Sequence, residues 1–250
     1  MIAVDERYYE MIFKRRSFHM FPGTKHLSES ELRGIENQFE RLAPLMENVA
    51  VAFKLVSREE TSCRRGEYCI LIYSEKKDQY LQNVGYMAEQ LDLWLASKNI
   101  GACWYGMGKT KETQWRGLDF VIMIAIEKVE ETKFRKDYSN TKRKPLSEIW
   151  QGNGYPEIAN VVRYAPSACN TQPWLVNAGQ NRLEVYRVKG KRGMMPKKKV
   201  SFYNQIDIGI FLLFLELCLK HENKISNREL YSGELEESTE VLTAIYTIEE

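Results

Sequence analysis

The segment that most constrains the fold is Ala165-Pro166-Ser167-Ala168-Cys169-Asn170-Thr171-Gln172-Pro173-Trp174. Ser167, Asn170 and Gln172 carry side chains that can both donate and accept hydrogen bonds. One interpretation is structural: a helix ends, an Asn-containing turn follows, and Trp174 begins a strand. The other is functional, because amides and a hydroxyl in one tight turn can bind the edge of a planar polar heterocycle. These residue types by themselves leave both interpretations open.

Hydrophobic spacing upstream of this segment predicts three helices. Residues 5–15 suit an amphipathic helix. Ser28, followed three residues later by Glu31, has the pattern of a capping box, so a second helix should begin there. Between residues 81 and 100, apolar side chains recur at intervals of three and four, which predicts a long core helix that ends at Gly101.

Other runs predict strands. Residues 49–56 are β-branched and partly alternating, residues 68–73 are apolar, and residues 120–126 are continuously apolar, as in a strand buried on both faces. Residues 132–144 are polar and basic and predict a loop. Residues 243–248 predict a last edge strand.

An internal repeat with an offset of 122 residues is visible in the sequence. Two pairs of segments share this offset: Ala43-Pro44 through Asn48 with Ala165-Pro166 through Asn170, and Leu93–Lys98 with Leu215–Lys220. Chance and duplication both account for two matches. Duplication predicts two related lobes, which we place at residues 1–150 and 151–250.

Composition narrows the class of protein. Hydrophobic residues make up 44% and charged residues 28%, enough for a packed core. Lys and Arg number 36 against 34 Asp and Glu, a net charge of +2 that gives no sign of a nucleic-acid partner. Any anion-binding site must therefore depend on a local cluster of positive side chains and not on the net charge of the protein.

Cysteine usage and apolar runs predict a cytoplasmic protein with no membrane partner. The five cysteines form no CxxC pair, and their odd number argues against a disulfide framework. Charges at residues 5–7 interrupt any early apolar run, so no signal peptide is expected. The most apolar stretch, residues 206–219, is shorter than the ~20 residues needed to span a bilayer. It predicts a buried helix.

Four segments together resemble the FMN-dependent nitroreductase family. Residues 165–174 resemble its Pro-Ser-x-x-Asn-x-Gln-Pro-Trp motif, and Arg15-Arg16-Ser17 resembles its N-terminal Arg-Arg-Ser motif. Leu91 to Gly106 is similar to its central helix and the glycine turn that follows. Arg143-Lys144-Pro145-Leu146 is similar to its C-terminal basic motif. The resemblance implies an α+β fold in which each lobe is a sheet flanked by helices.

The order of these motifs differs from that of ordinary family members. In those, the Asn-Gln turn lies between the Arg-Arg-Ser helix and the central helix, and the protein is a dimer that binds flavin at its interface. Here that place holds residues 43–48, without the Ser and Gln, and the intact turn follows the basic motif. The resemblance therefore implies an intrachain pseudo-dimer with one flavin site, and a chain that is monomeric for that reason.

The resemblance implies FMN as cofactor and assigns the site residue by residue. The residues implied in cofactor binding are Arg15, Arg16, Ser17, His19, Trp104, Tyr105, Gly106, Arg143, Lys144, Pro166, Ser167, Ala168, Asn170 and Gln172. The arginines and Ser17 suit the phosphate and ribityl groups. Near Trp104, where ordinary members often supply an acid, this chain has none.

Each assignment has a structural alternative. Arg15 and Arg16 are also typical cations at a helix C-terminus. His19, where the family commonly has Arg or Lys, is also an ordinary helix-end histidine, and Lys144 could face solvent. Trp104 and Tyr105 could be core aromatics. We expect no metal site and no nucleophilic or acid-base side chain.

The resemblance implies an oxidoreductase that uses NAD(P)H and FMN to reduce a nitroaromatic, a quinone or a similar small-molecule acceptor. Two alternatives remain open at this stage. One is a non-catalytic protein that binds FMN as a structural or sensing group. The other is a flavin-free interaction protein on the same scaffold.

Overall fold

A computed structural model of the chain describes residues 4–139, 141–189, 193–233 and 240–249. By its internal contacts the chain divides into two compact units, residues 1–139 and residues 140–250. Arg143 and Lys144 therefore belong to the same unit as the Asn-Gln turn.

The sheet of the first unit has five strands in the order β1-β2-β5-β3, with β4 paired to β5. The strands are β1 (Val51–Ser57), β2 (Tyr68–Ser74), β3 (Ile100–Tyr105), β4 (Gln114–Trp115) and β5 (Leu118–Lys128). All neighbours are antiparallel. The three strands predicted in this part of the chain are confirmed, because apolar and β-branched runs of this length are typical of a buried sheet.

Helices α2 (Glu29–Phe39) and α3 (Tyr80–Ser97) pack on this sheet, and helix α1 (Tyr8–Lys14) packs against α3. The predicted capping box is confirmed. The Ser28 hydroxyl accepts from the Glu31 N–H at 3.3 Å, and the Glu31 carboxylate accepts from the Ser28 N–H at 3.0 Å. These bonds satisfy donors that a helix N-terminus leaves without partners, which is why α2 begins there.

The prediction that Gly101 ends the long helix was wrong. Helix α3 ends at Ser97, and Asn99 adopts the left-handed conformation, with φ 56°, that reverses the chain. Gly101 lies within β3, where a Cβ atom would come within 3.0 Å of the Phe18 ring. The glycine is needed for this close packing.

We expect Gly101→Ala to lower the free energy of unfolding by ~1–3 kcal/mol, because the added methyl would displace the buried Phe18 ring. Chemical denaturation measures the effect. Gly34→Ala is the matched control: it lies in α2, its Cβ would be 3.9 Å from Trp94, and it should be neutral or stabilising by up to ~1 kcal/mol. Equal losses in the two variants would contradict the packing argument.

The second unit contains α4 (Leu146–Ile149), β6 (Trp150–Gln151), α5 (Pro156–Val162), β7 (Trp174–Ala178), β8 (Arg182–Val188), α6 (Val200–His221), β9 (Ser226–Leu230) and β10 (Glu240–Ile248). Its sheet has the order β6-β7-β8-β10-β9. Helix α6 packs with α5 and β8. Both units thus confirm the α+β class with sheets flanked by helices.

Helix α6 contains the apolar stretch at residues 206–219. The predicted helix was too short. The helical segment runs from Lys197 to His221 and, by length and composition alone, is long and apolar enough to cross a membrane. The burial of this helix is typical of a core helix, because 83% of its most apolar window is buried inside the protein. The prediction of a buried core helix is confirmed.

The two sheets share one pattern of connections. In the first unit the chain forms an antiparallel pair (β1, β2), then the long helix α3, then the edge strand β3 and the inner strand β5. The order of these strands in the sheet is β1-β2-β5-β3. In the second unit β7, β8, α6, β9 and β10 follow the same scheme in the order β7-β8-β10-β9. This correspondence supports the internal repeat, which stays a prediction.

Candidate functional site

The Asn-Gln turn has an unusual backbone. Cys169, Asn170 and Gln172 adopt positive φ values of 51°, 54° and 47°. Asn tolerates the left-handed region, but Cys and Gln rarely occupy it, so three such residues within four positions store conformational energy. Strain of this kind persists only where surrounding contacts fix it, and it is concentrated at binding and active sites.

The basic motif fixes the turn from one side. Arg143 donates from Nη1 to Asn170 Oδ1 at 3.1 Å and from Nη2 to the Tyr164 carbonyl oxygen at 2.9 Å. Lys144 donates its backbone N–H to Gln172 Oε1 and its ammonium group to the Gln172 carbonyl oxygen, both at 2.9 Å. Residues of the two motifs that lie 27 or 28 positions apart in the sequence therefore form one hydrogen-bonded network.

Within this network the turn residues have different exposures. Gln172 is 2% exposed, and its backbone N–H donates to the Ser167 hydroxyl at 2.9 Å. Asn170 is exposed, and its amide donates to the Lys142 carbonyl oxygen at 3.1 Å. Gln172 thus maintains the turn from inside, whereas Asn170 presents an amide at the surface. Pro166 and Ala168 are half-buried parts of the same turn.

A buried carboxyl group supports the turn from below. Asp207 of α6 is 3% exposed, and its Oδ1 accepts from the Ala168 N–H at 2.9 Å. Burial raises the pKa of Asp207 to about 8, although the Ala168 N–H and the neighbouring Thr171 hydroxyl act to lower it. In the sequence, Asp207 is visible only as an acid within an apolar stretch, so its link to the turn was missed.

The first unit contains a similar support for the segment that the predicted repeat aligns with this turn. In the first unit Asn83 of α3 accepts from the Met46 N–H at 3.1 Å, and Met46 corresponds to Ala168 at the offset of 122. In the first unit the backbone N–H is thus bound by an amide oxygen of the long helix, and in the second unit by a carboxyl oxygen.

The segment after α1 carries the next predicted residues. Ser17 forms a parallel bridge with Ala102 of β3, and the Phe18 N–H donates to the Ala102 carbonyl oxygen at 2.9 Å. The chain therefore continues along the edge of the sheet. Arg16 is exposed and donates to the Lys133 carbonyl oxygen at 3.1 Å.

Ser17 and His19 lie around one cation that the sequence analysis missed. Arg65 approaches His19 Nδ1 at 3.1 Å and donates to Cys103 Sγ at 3.3 Å, and its guanidinium lies over the Tyr105 ring at 5.6 Å. The Ser17 hydroxyl donates to the same sulfur at 3.8 Å. The only local signal for Arg65 was the Arg-Arg-Gly sequence at residues 64–66, in a loop without assigned function.

Arg15 is part of a buried ion network. It is 3% exposed, and its Nε lies 2.8 Å from Asp92 Oδ2 and 3.2 Å from Glu89 Oε1. Burial alone would lower the pKa of Arg15, but attraction by Asp92 and Glu89 outweighs burial and raises it. The contribution of Arg15 to cofactor binding stays a prediction.

Trp104 belongs to the same network. Its indole N–H donates to Asp92 Oδ2 at 3.1 Å, and the side chain is half-buried. The sequence around Trp104 contains no acid, but α3 supplies one by tertiary contact. Asp92 was missed because it occurs in an apolar helical pattern whose polar positions are ordinarily surface residues. Gly106 is half-buried and begins the turn that follows β3.

The chain has the fold of one solved structure and is less similar to two others. A protein from Thermotoga maritima MSB8 described as a "putative nitroreductase" is 20% identical, with 96% of this chain and 92% of that chain covered and a TM-score of 0.60. A "putative nitroreductase in complex with FMN" from Desulfovibrio desulfuricans is 16% identical, with 60% and 98% covered and a TM-score of 0.41. A nitroreductase family protein from Clostridium novyi NT is 17% identical, with 50% and 88% covered and a TM-score of 0.40. No curated protein matches the chain.

The family comparison covers most of the sequence. The model of the family described as "Putative TM nitroreductase" matches residues 7–218. That range includes the Arg-Arg-Ser segment, the basic motif and the Asn-Gln turn. The sequence resemblance is confirmed at the level of the family, and the chain belongs to this nitroreductase family.

Proposed function

We propose that this protein is an FMN-dependent oxidoreductase that uses NAD(P)H to reduce a nitroaromatic, a quinone or a similar planar acceptor. Membership of the nitroreductase family supports the general class of flavin oxidoreductase. The observation that carries the cofactor assignment is the strained Asn-Gln turn, held by Arg143 and Lys144. A turn held so firmly in a costly conformation is expected where a ligand is bound.

The residues present fit the chemistry of FMN, which offers a phosphate dianion, ribityl hydroxyls and a planar ring with a polar edge. In the second unit, the exposed Asn170 amide can donate to and accept from such an edge, and Arg143 beside it adds positive charge. In the first unit, Ser17, His19 and Arg65 form a cluster of donors suited to an anion. We propose both sets as contributors to FMN binding.

Bound FMN would supply the electron transfer, and the protein would supply binding, orientation and electrostatics. In this proposal Lys144 and Gln172 keep the turn in shape, and Arg143 orients the Asn170 amide. Arg65 places a permanent positive charge beside His19, whereas a histidine carries a positive charge only when its ring is protonated. No side chain has to act as nucleophile or general base.

A second candidate is a protein of this family that binds FMN without turnover. The observation in its favour is that Asp92, the acid nearest Trp104, is engaged by both Trp104 and Arg15 inside the protein. Anaerobic titration of the FMN-loaded protein with NADH separates the two candidates. Bleaching of the flavin absorbance by stoichiometric NADH supports the enzyme, and flavin that stays oxidised supports the second candidate.

We expect Asn170→Gly to weaken FMN binding by about 10- to 100-fold, because it removes one or two hydrogen bonds at a surface amide. Glycine tolerates φ 54° without strain, so this variant tests the side chain and not the backbone. FMN affinity is measured by quenching of flavin fluorescence on titration with apoprotein.

Asn48→Gly is the matched control, because Asn48 is the exposed counterpart of Asn170 in the other half of the repeat. Its FMN affinity should equal that of the unaltered protein. Equal losses in the two variants would count against a binding role for the Asn-Gln turn.

A further inference from the structure

A cavity of about 340 Å³ lies in the first unit, where β1 and β5 end and β2 begins. Its wall includes Ser57, Tyr68 and Glu127 from these strands, and Gly23 and His26 from the segment between α1 and α2. The volume is within the range of small-molecule sites, ~300–1,000 Å³. None of the lining residues belongs to the sets proposed to bind FMN, so a ligand in this cavity would be independent of the proposed flavin chemistry.

Glu127 is the most buried charged group on the wall. Its side chain lies on a residue that is 6% exposed, and its Oε1 accepts from the Gly23 N–H at 2.6 Å. No described residue donates a hydrogen bond to Oε2 or forms an ion pair with this carboxylate. Burial raises the pKa of Glu127, as expected for a carboxyl group that is shielded from water without a close counter-charge. Glu127 therefore offers one acceptor oxygen to a positively charged group in the cavity.

Glu67 adds a second carboxylate to the same wall. Its Oε1 lies 3.1 Å from His26 Nδ1, and its Oε2 accepts from the Leu27 N–H at 3.0 Å. These contacts fix the carboxylate in place, and each oxygen keeps a lone pair for another donor. Two fixed carboxylates suit an ammonium group, which carries three N–H donors.

Arg58 places a positive charge on the wall. It is half-buried, and its Nη1 donates to the Gly66 carbonyl oxygen at 3.1 Å, but it forms no ion pair with any described residue. The other N–H groups of a guanidinium can bind a carboxylate through two parallel hydrogen bonds. Lys25 is less suited to this role, because its ammonium group lies 2.7 Å from the carboxylate of Glu130.

The two signs of charge on the wall select the class of ligand. A simple anion would be repelled by Glu127 and Glu67, and a simple amine would leave Arg58 without a partner. A metal ion is disfavoured, because no three His, Cys, Asp or Glu side chains in the described part of the chain are grouped to hold one. A small molecule that carries both an ammonium and a carboxylate group satisfies both sides of the cavity.

We propose that this cavity binds a free α-amino acid, with its ammonium group at Glu127 and Glu67 and its carboxylate at Arg58. Both charges of the ligand then meet an opposite charge that the protein already holds in place. This fixed arrangement reduces the entropy lost on binding.

The test is titration of the full ¹⁵N-labelled chain with each of the standard L-amino acids at millimolar concentration, followed by NMR of the backbone amides. At least one amino acid should shift the amide signals of Gly23 and Tyr68 in a saturable way. Analogues of that amino acid that lack only the α-amino group or only the α-carboxyl group should bind about 10-fold more weakly, since each loses a charge-assisted contact. Absence of any saturable shift at the cavity, or an analogue that binds as tightly as the amino acid, would overturn the proposal.

Two variants test the assigned contacts. Glu127→Gln removes the charge but keeps an oxygen that can accept from the Gly23 N–H, and Arg58→Gln removes the cation. Each should weaken binding of the amino acid by about 10-fold or more. Glu36→Gln is the matched control, because Glu36 is an exposed acid of α2, and its affinity should be unchanged. Unchanged affinity in both cavity variants would overturn the proposal, and the comparison of analogues decides it in the unaltered protein if a variant does not fold.

Discussion

Replacing Asp207 by Asn should make the protein more stable, and more so as the pH rises. The carboxyl group of Asp207 has its pKa raised to about 8 by burial, so the folded protein keeps a proton on it that the unfolded chain loses near pH 4. Between these values the folded state binds more protons than the unfolded state. The free energy of unfolding therefore falls with rising pH over this window and levels off above it.

The size of this effect follows from the shift. At ~1.36 kcal/mol per pKa unit, this one group lowers the free energy of unfolding by on the order of 5 kcal/mol between about pH 4 and pH 8. Asn cannot ionise, and its Oδ1 can accept from the Ala168 N–H as Asn83 accepts from the Met46 N–H in the first unit. The stability of Asp207→Asn should equal that of the unaltered protein near pH 4 and exceed it by several kcal/mol at pH 8.

Urea denaturation at several pH values, followed by circular dichroism, measures this difference. Glu222→Gln is the matched control, since Glu222 is an exposed acid at the end of the same helix and its removal should leave the pH profile unchanged. A constant difference between Asp207→Asn and the unaltered protein across the pH range would show that Asp207 does not titrate in this window.

Removing the cation from the buried ion network should destabilise the first unit severely. Arg15→Met would leave the carboxylates of Glu89 and Asp92 next to each other, at 0% and 2% exposure, without their shared guanidinium. Breaking a buried pair from one side costs ~3–5 kcal/mol, because it leaves uncompensated charge in a medium of low polarity. We expect a loss of this size in the free energy of unfolding.

Two further variants test the cause. Arg16→Met removes an exposed cation from the adjacent position and should change stability by less than ~0.5 kcal/mol. Adding Glu89→Gln and Asp92→Asn to Arg15→Met should restore part of the lost stability, since the remaining groups are then neutral. If the triple variant is as unstable as Arg15→Met alone, lost packing and not unpaired charge is the cause.

Local patterns predicted the elements well, because each depends on residues close in sequence. The capping box at Ser28 and the apolar runs of β1, β2 and β5 were recognisable for this reason. Gly101 was misassigned because glycine after a helix is typical of a C-terminal stop. The need for it arises from the Phe18 ring, a contact between residues 83 positions apart.

The candidate site was only partly predictable. Its motif residues Ser17, Asn170 and Gln172 were visible because each lies in a short sequence motif that resembles one of a known family. Arg65 and Asp92 were not, since their roles come from contacts across the sheet and the core that no local pattern records.

By itself, the sequence determined the family, the class of fold and the position of the Asn-Gln turn. These follow from hydrophobic periodicity and from short motifs, which are properties of neighbouring residues. Only the tertiary structure decided that Asp207 supports this turn and that Arg15 lies between two acids. Burial and charge depend on which distant residues meet, and that is settled when helices and sheets pack.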